Sequence, residues 1–287
     1  MTRLASPLQH AERFRQMIHR TTGIHLPASK DGMIETRLRS RVAALRLPGV
    51  DAYFRHLFEQ GALEAEMPRI VELVTTNKTD FFRESAHYDL LRNHMIPAAL
   101  RRGSRGRRVA FKFWSGAAST GAEAWSAAML LADAQERHPN LDWAVLGTDI
   151  SHRVLETARR AIYPEGELAP VPPDLRDRYA MKGRDESGAP ARRIAPPLRA
   201  RVRFAELNLM ATPYPVDRDL DVIFLRNVLI YFDSPTQERV LAAMASHLRP
   251  GGHLVVGHSE SMTVRLPGLR HVAPAVYERA PGAKEAA

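Results

Sequence analysis

The chain has 287 residues, 41 of them Lys or Arg and 32 Asp or Glu, so its net charge is +9 and its pI is near 10.2, a balance that points to an acidic partner. With 45% apolar and 25% charged residues it has the composition of a globular protein, long enough for about two domains. It lacks cysteine, which excludes disulfides, thiolate metal sites and a cysteine nucleophile and suits a cytoplasmic protein; no run approaches the ~18 apolar residues of a membrane span, and Met1 to His10 have no signal-peptide core.

The first part of the chain reads as helices. Leu8, Ala11, Phe14, Met17 and Ile18 recur at helical spacing, and Ile34, Leu38, Val42 and Leu45 repeat the pattern. Phe54, Leu57 and Phe58 share a third face, and Leu63, Met67, Ile70, Val71 and Val74 a fourth. A helical domain is therefore expected over residues 1–84. A connecting helix, Ser85 to Leu100, and an arginine-rich linker, Arg101 to Arg108, carry the chain to residue 109.

From Val109 short apolar runs alternate with helical stripes, the pattern of an α/β domain built on a parallel sheet over residues 109–287. Strands are expected at Val109 to Trp114, Trp143 to Thr148, Arg201 to Leu207, Asp221 to Leu225, His253 to Gly257 and Val272 to Glu278. The intervening helices are Ala122 to Arg137, Arg153 to Ile162 with Ser151 as cap, and one opening at Ser234-Pro235 and stopped by Pro250-Gly251-Gly252. Tyr163 to Ala200, with seven prolines, is too long for an ordinary loop and reads as an inserted, strand-rich subdomain at about 164–200.

In a doubly wound sheet, ligands sit beyond the carboxyl ends of the strands where the winding reverses. The unusual polar residues fall there. Ser115 to Gly121 are small enough for close backbone approach to a ligand, or for a plain strand-to-helix turn; they form neither G-x-G-x-x-G nor a P-loop. Asp149 suits a ribose diol or a helix cap, and Asn208-Leu209 suits an adenine ring or a simple turn. Arg226-Asn227 lies between apolar runs and needs a polar partner, which a ligand would supply, whereas Tyr231 is either a site residue or a core aromatic. Thr75 to Glu84 holds more hydrogen-bonding side chains than capping by Thr79 or Asp80 requires. The 12 histidines show no spacing such as His-x-x-x-His, so no metal is expected.

Taken together and in order, Thr75 to Glu84, Trp114 to Ala132, Gly147 to Pro164 and Asp221 to Met262 resemble the CheR-type chemoreceptor glutamate methyltransferases of bacterial chemotaxis. The resemblance implies a class I methyltransferase fold, Rossmann-like and doubly wound, that binds S-adenosylmethionine and releases S-adenosylhomocysteine. An all-α domain would precede it and a β-subdomain interrupt it. By motif, Asn77, Thr79 and Arg83 would face the cofactor, Glu123 its amino-acid portion and Asp149 its ribose. Asn208 and Leu209 would flank the adenine, Asn227 and Val228 line the pocket, and Arg83 and Tyr231 stand at the transferred methyl. Ala122 occupies the position where the family usually has the first of two glutamates.

The implied reaction joins a receptor glutamate carboxylate to the methyl of a sulfonium. At an unperturbed pKa of ~4.3 the acceptor is already ionised, so no general base is needed, and Arg83 is the natural handle for it.

On the helix from Asp31 to Leu47, Arg37 and Arg41 flank one side of the apolar stripe and Arg39 and Arg46 the other, opposed only by Asp31 and Glu35. The pattern alone gives a solvated basic face; the resemblance implies docking on acidic chemoreceptor helices. The insertion resembles a β-subdomain that tethers receptor C-terminal peptides in some members of the family. The expected protein is a cytoplasmic monomer at membrane-bound receptor arrays, without nucleic acid and without membrane insertion. The competing readings are a nucleic-acid methyltransferase, from the high pI, and a non-catalytic adapter that binds S-adenosylmethionine.

Overall fold

In the computed structural model, which describes residues 7–103, 107–261 and 266–280 and side chains from residue 9 onward, the four helices expected near the N-terminus form, with Leu45 just past the end of the second. The helices are α1 (Pro7–Thr22), α2 (Asp31–Ala44), α3 (Val50–Phe58) and α4 (Leu63–Val74). Their apolar stripes are buried: Phe14, Met17 and Ile18 on α1, Ile34, Leu38 and Val42 on α2, Phe54 and Leu57 on α3, Ile70 and Val74 on α4. Leu8 of the predicted stripe and residues 104–106 of the arginine-rich linker lie outside what is described. The connecting helix is α5 (Ser85–Leu90) and α6 (Ile96–Arg102), joined without a break through a π segment at Leu91–Met95.

The α/β part follows as β1 (Val109–Ser115), α7 (Ala122–Arg137), β2 (Leu141–Asp149) and α8 (His152–Arg160). The insertion then contributes β3 (Ile162–Pro164), α9 (Pro173–Tyr179), β4 (Ala180–Arg184), β5 (Pro190–Ile194) and α10 (Pro196–Arg199). The main fold resumes with β6 (Val202–Glu206), β7 (Leu220–Leu225), α11 (Ser234–Ser246), β8 (Leu248–Val256), β9 (Leu269–Ala273) and β10 (Val276–Arg279).

Among the described residues these strands form a seven-stranded sheet in the order β6-β2-β1-β7-β8-β10-β9 and a three-stranded antiparallel sheet in the order β3-β5-β4. The first five strands of the large sheet run parallel, while β10 and β9 close it as an antiparallel hairpin. Strand order reverses between β1 and β7, so the ligand crevice of such a sheet opens there. Alternation along β7 shows how the layers form. Val222 and Phe224 join the core beneath α7, whereas Ile223 and Leu225 join the core shared by α11 and α1 to α4. Both faces of the strand are covered, which accounts for its unbroken apolar run.

Several expected boundaries move for local reasons. Asp233, not Ser234, caps α11, because its side chain accepts from the Thr236 amide at 3.0 Å. Ser151 makes no side-chain cap on α8; Asp149 Oδ1 instead accepts the Ser151 amide at 3.0 Å. That helix ends at Arg160, before left-handed Ala161, so Ile162 opens β3 and does not belong to the helical stripe. Pro250-Gly251-Gly252 lies inside β8, at its register shift against β7, and does not stop α11. The single strand expected over 272–278 is a hairpin that turns at Pro274-Ala275.

Candidate active site

Beyond the carboxyl ends of β6, β2, β1 and β7 lies a cleft with about 960 Å3 of free space, partly open to solvent. Its floor is read across the sheet. After β7, Arg226, Asn227 and Val228 line it; after β1, Gly116, Ala117 and Ser119, with Glu123 from the first turn of α7. Asp149 and Ile150 follow β2, and Leu207 and Leu209 follow β6. Its roof is the segment from Val74 to Asp80 with Arg83 and Tyr88, and its far wall is Tyr231 and Phe232 beside Thr22 and Ile24.

The loop after β1 is shaped first by packing. A Cβ on Gly116 would stand 2.5 Å from Met244 Cε and 3.1 Å from Leu225 Cδ1, so a side chain there would have to displace the end of Met244. Asp149 Oδ2 accepts the Ser119 amide at 2.8 Å, which fixes this loop against β2. The carboxylate thus does the capping work and still faces the cleft. Burial pushes its pKa up, against the lowering by the Ser151 and Ser119 amides. Ser119 Oγ in turn donates to the Asn77 carbonyl at 2.7 Å, joining floor to roof.

Arg226 is the centre of charge beneath the cleft, with a side chain 1% exposed. Its guanidinium stands 3.4 Å from Glu84 Oε2 and 3.4 Å from Glu123 Oε2 and donates to the Arg83 carbonyl. Much of the polar partnering that the sequence demanded thus comes from the protein itself. Burial raises the Glu84 carboxyl, but Arg226 and the Asn227 amide outweigh it and hold it below its ordinary value. Glu123 is raised by deeper burial despite Arg226, and accepts from Ser115 Oγ at 2.7 Å. Ala122 is buried in the core, so Glu123 is the residue of the pair that reaches the cleft. Asn227, at φ +59°, donates from its side chain to Glu84 Oε1 at 3.2 Å and from its backbone to Glu260 Oε2 at 2.8 Å.

Asn77, Thr79, Arg83, Glu123, Asp149, Leu209, Asn227, Val228 and Tyr231 thus all line one cleft. Asn208 does not: its Nδ2 donates to the Thr21 carbonyl at 2.6 Å and its Oδ1 accepts the Met210 amide, so it ties α1 to the loop after β6. The four arginines proposed for docking also divide. Arg41 is locked in a two-bonded pair with buried Glu66, which also accepts from Tyr53 Oη at 3.0 Å. Arg37 donates to the Val74 and Thr75 carbonyls and, at 2.8 Å, to Thr76 Oγ1. Both are half-buried and are held by partners within the chain. Arg39 and Arg46 are exposed and make no ion pair among the described residues.

Sequence reading missed Thr22 and Ile24, whose segment reaches the cleft because Ile24 bridges Phe232 and the His25 amide donates to the Tyr231 carbonyl at 2.7 Å. The one signal was Gly23, directly after a helix. It also missed Tyr88, one helical turn beyond Glu84.

The cleft fits S-adenosylmethionine on its own residues. Buried carboxylates at Glu123 and Asp149 are followed by the apolar pair Leu207 and Leu209, a sequence matching an ammonium group, a ribose diol and an adenine ring.

Two family models match the chain: CheR methyltransferase, all-alpha domain, over residues 9–75, and CheR methyltransferase, SAM binding domain, over residues 77–275. Chemotaxis protein methyltransferase 2 of Pseudomonas aeruginosa is 36% identical over 269 residues, covering 94% of this chain and 92% of its own. The chemotaxis protein methyltransferases of Escherichia coli and Salmonella typhimurium are each 38% identical, covering 91% of this chain and 87% and 86% of theirs. With both models matched in succession and relatives aligned nearly end to end, this chain belongs to the CheR methyltransferase family.

Proposed function

We propose that this S-adenosylmethionine-dependent methyltransferase of chemotaxis acts on the side-chain carboxylates of glutamates on the cytoplasmic helices of chemoreceptors, giving methyl esters during adaptation. The observation that carries the reading is Arg83. Its guanidinium lines the cleft, donates to the Lys78 carbonyl at 3.2 Å and pairs with no carboxylate among the described residues, whereas the neighbouring Arg226 faces two. A guanidinium left open in this way suits an incoming carboxylate, which it can hold by two parallel hydrogen bonds.

The cofactor, when bound, supplies a methyl group on a positively charged sulfur. The acceptor, with an unperturbed pKa of ~4.3, arrives ionised, so no residue of the chain has to take a proton. The chain's work is alignment and exclusion of water. Asn77, Thr79, Glu123, Asp149, Leu209, Asn227 and Val228 would hold the cofactor, and Arg83 and Tyr231 would aim the carboxylate. Because opposite charges meet, displacing water from the wall of Ile24, Val228 and Phe232 favours the encounter. Arg39 and Arg46, exposed on and just beyond α2, would meet the acidic receptor surface. No helix of the described residues is long and apolar enough to cross a membrane.

The test is incubation with methyl-labelled S-adenosylmethionine and either receptor cytoplasmic fragments or nucleic acid. Base-labile label on receptor glutamates is expected. Label on nucleic acid, or binding of the cofactor without transfer, would overturn the proposal in favour of the other two readings.

A further inference from the structure

Outside the cleft, a second groove lies between α1, the loop after it and the start of α11, lined by Glu12, Gln16, His19, His25 and Asp233 among others. His19, His25 and Asp233 each bring one ligand atom into it, and the three atoms lie within 4.8 Å of one another. We propose that these three residues form a binding site for a divalent transition metal of the zinc class. Two imidazoles and one carboxylate are the donor set that such ions prefer over calcium or magnesium, which take mainly oxygen ligands.

The geometry is close to what an ion needs. Ligand atoms set tetrahedrally about 2.0–2.2 Å from one metal stand about 3.3–3.6 Å from each other, and His19 Nε2 and Asp233 Oδ2 face one another slightly inside that, at 3.0 Å. The His25 ring, whose ligand atom lies within 4.8 Å of the other two, would turn toward them to close the remaining edges. That ring is exposed, and its one aromatic contact is edge-on with His19.

Asp233 is oriented from behind, since its other oxygen accepts the Thr236 amide at 3.0 Å, the outer-shell support that metal-binding carboxylates usually have. The one guanidinium lining the groove, Arg15, is turned to Glu12 and Asp31. With three protein ligands, the site would keep an open position for water. No regular histidine spacing betrays it, because its ligands come from α1, a loop and a segment more than two hundred residues away.

The other histidine cluster, Glu84, His87 and His258, is the weaker candidate. Arg226 stands 3.4 Å from its carboxylate, and burial lowers the His87 pKa to about 4, with Arg226 adding to the effect. The site at His19 has a consequence that the other lacks. His25 itself makes the backbone contact with Tyr231 and Asp233 follows Tyr231 by two residues, so an ion would clamp the wall of the cleft.

The experiment uses the full-length, tag-free protein, stripped with chelator and titrated calorimetrically with Zn2+, with Co2+ as a spectroscopic probe. One equivalent should bind, Co2+ should show the visible bands of a low-coordinate nitrogen–oxygen site, and Zn2+ should raise the thermal midpoint. His25→Ala and Asp233→Asn, the latter retaining a capping oxygen, should each weaken Zn2+ by about tenfold or more and abolish the thermal shift. His258→Ala should change neither. The proposal is overturned if the protein binds no stoichiometric ion, or if binding survives His25→Ala and Asp233→Asn or is lost in His258→Ala instead. These readouts do not involve methyl transfer, so failure here leaves the proposed activity standing.

Discussion

Replacing Arg226 by methionine tests the charge network under the cleft. The substitution keeps most of the apolar stem and removes a guanidinium that sits 3.4 Å from each of two carboxylates. At an effective dielectric of 20, each pair is worth about 5 kcal/mol of gross attraction. Much of this is offset by the cost of keeping the guanidinium out of water, and removing one partner of a buried ion network typically costs about 3–5 kcal/mol net. The loss should depend on pH. Without Arg226, Glu84 and Glu123 face each other in a site that already raises Glu123 by burial, and both would keep their protons above the ordinary carboxylate range.

A carboxyl whose folded pKa is raised destabilises the fold above that pKa, and the penalty fades as pH falls toward the unfolded value. In the native protein Glu84 has the opposite sign: its lowered pKa contributes stability that is lost only as pH falls below the ordinary carboxylate range. Urea denaturation at pH 7.5 and pH 5 should therefore show a large deficit for Arg226→Met at the higher pH and a smaller one at the lower. Adding Glu123→Gln should recover part of it at pH 7.5. A deficit below about 1 kcal/mol, or one independent of pH, would refute the assigned network.

Arg83→Ala should lower turnover on receptor fragments on the order of 10²-fold while calorimetric affinity for S-adenosylmethionine changes little; equal losses in both would make Arg83 a cofactor ligand only. Arg39→Glu with Arg46→Glu should raise KM for receptor fragments at low salt, with the difference shrinking at high salt and the thermal midpoint unchanged. Arg41→Glu should lower the midpoint instead, because buried Glu66 loses its guanidinium partner and meets a like charge; an unchanged midpoint with a raised KM would return Arg41 to the surface. Gly23→Ala should cost about 1–3 kcal/mol, since φ there is +76° and the new Cβ would meet Met210 Sδ at 2.6 Å. Unchanged denaturation would show that this turn tolerates a side chain.

Much of this arrangement is legible in one sequence because it rests on short-range rules. Helical stripes, strand ends and turn residues depend on neighbours within a few positions, so the α1 to α4 faces and the polar residues after β1, β2 and β7 are where periodicity puts them. What could not be read is pairing. Arg37 and Arg41 look like half of a basic face until their partners, 25 to 39 residues away, are known. That Arg226 sits between Glu84 and Glu123 shows only in three dimensions, since Glu84 is 142 and Glu123 103 residues earlier. Asn208 looks free until Thr21, 187 residues earlier, takes its amide hydrogen.

The same long-range pairs bind docking to chemistry. Arg37 lies on the helix that presents Arg39 to solvent, and its guanidinium holds Thr76, part of the roof of the cleft. The next residue of that roof, Asn77, is held through its carbonyl by Ser119, whose amide is held by Asp149. A receptor helix seated against Arg39 and Arg46 would therefore be registered to the cofactor pocket through three hydrogen bonds and the Thr76–Asn77 peptide bond. Arg37, bonded to the roof of the cleft, would thereby set the distance from Arg39, two residues on along the same helix, to the reacting atoms.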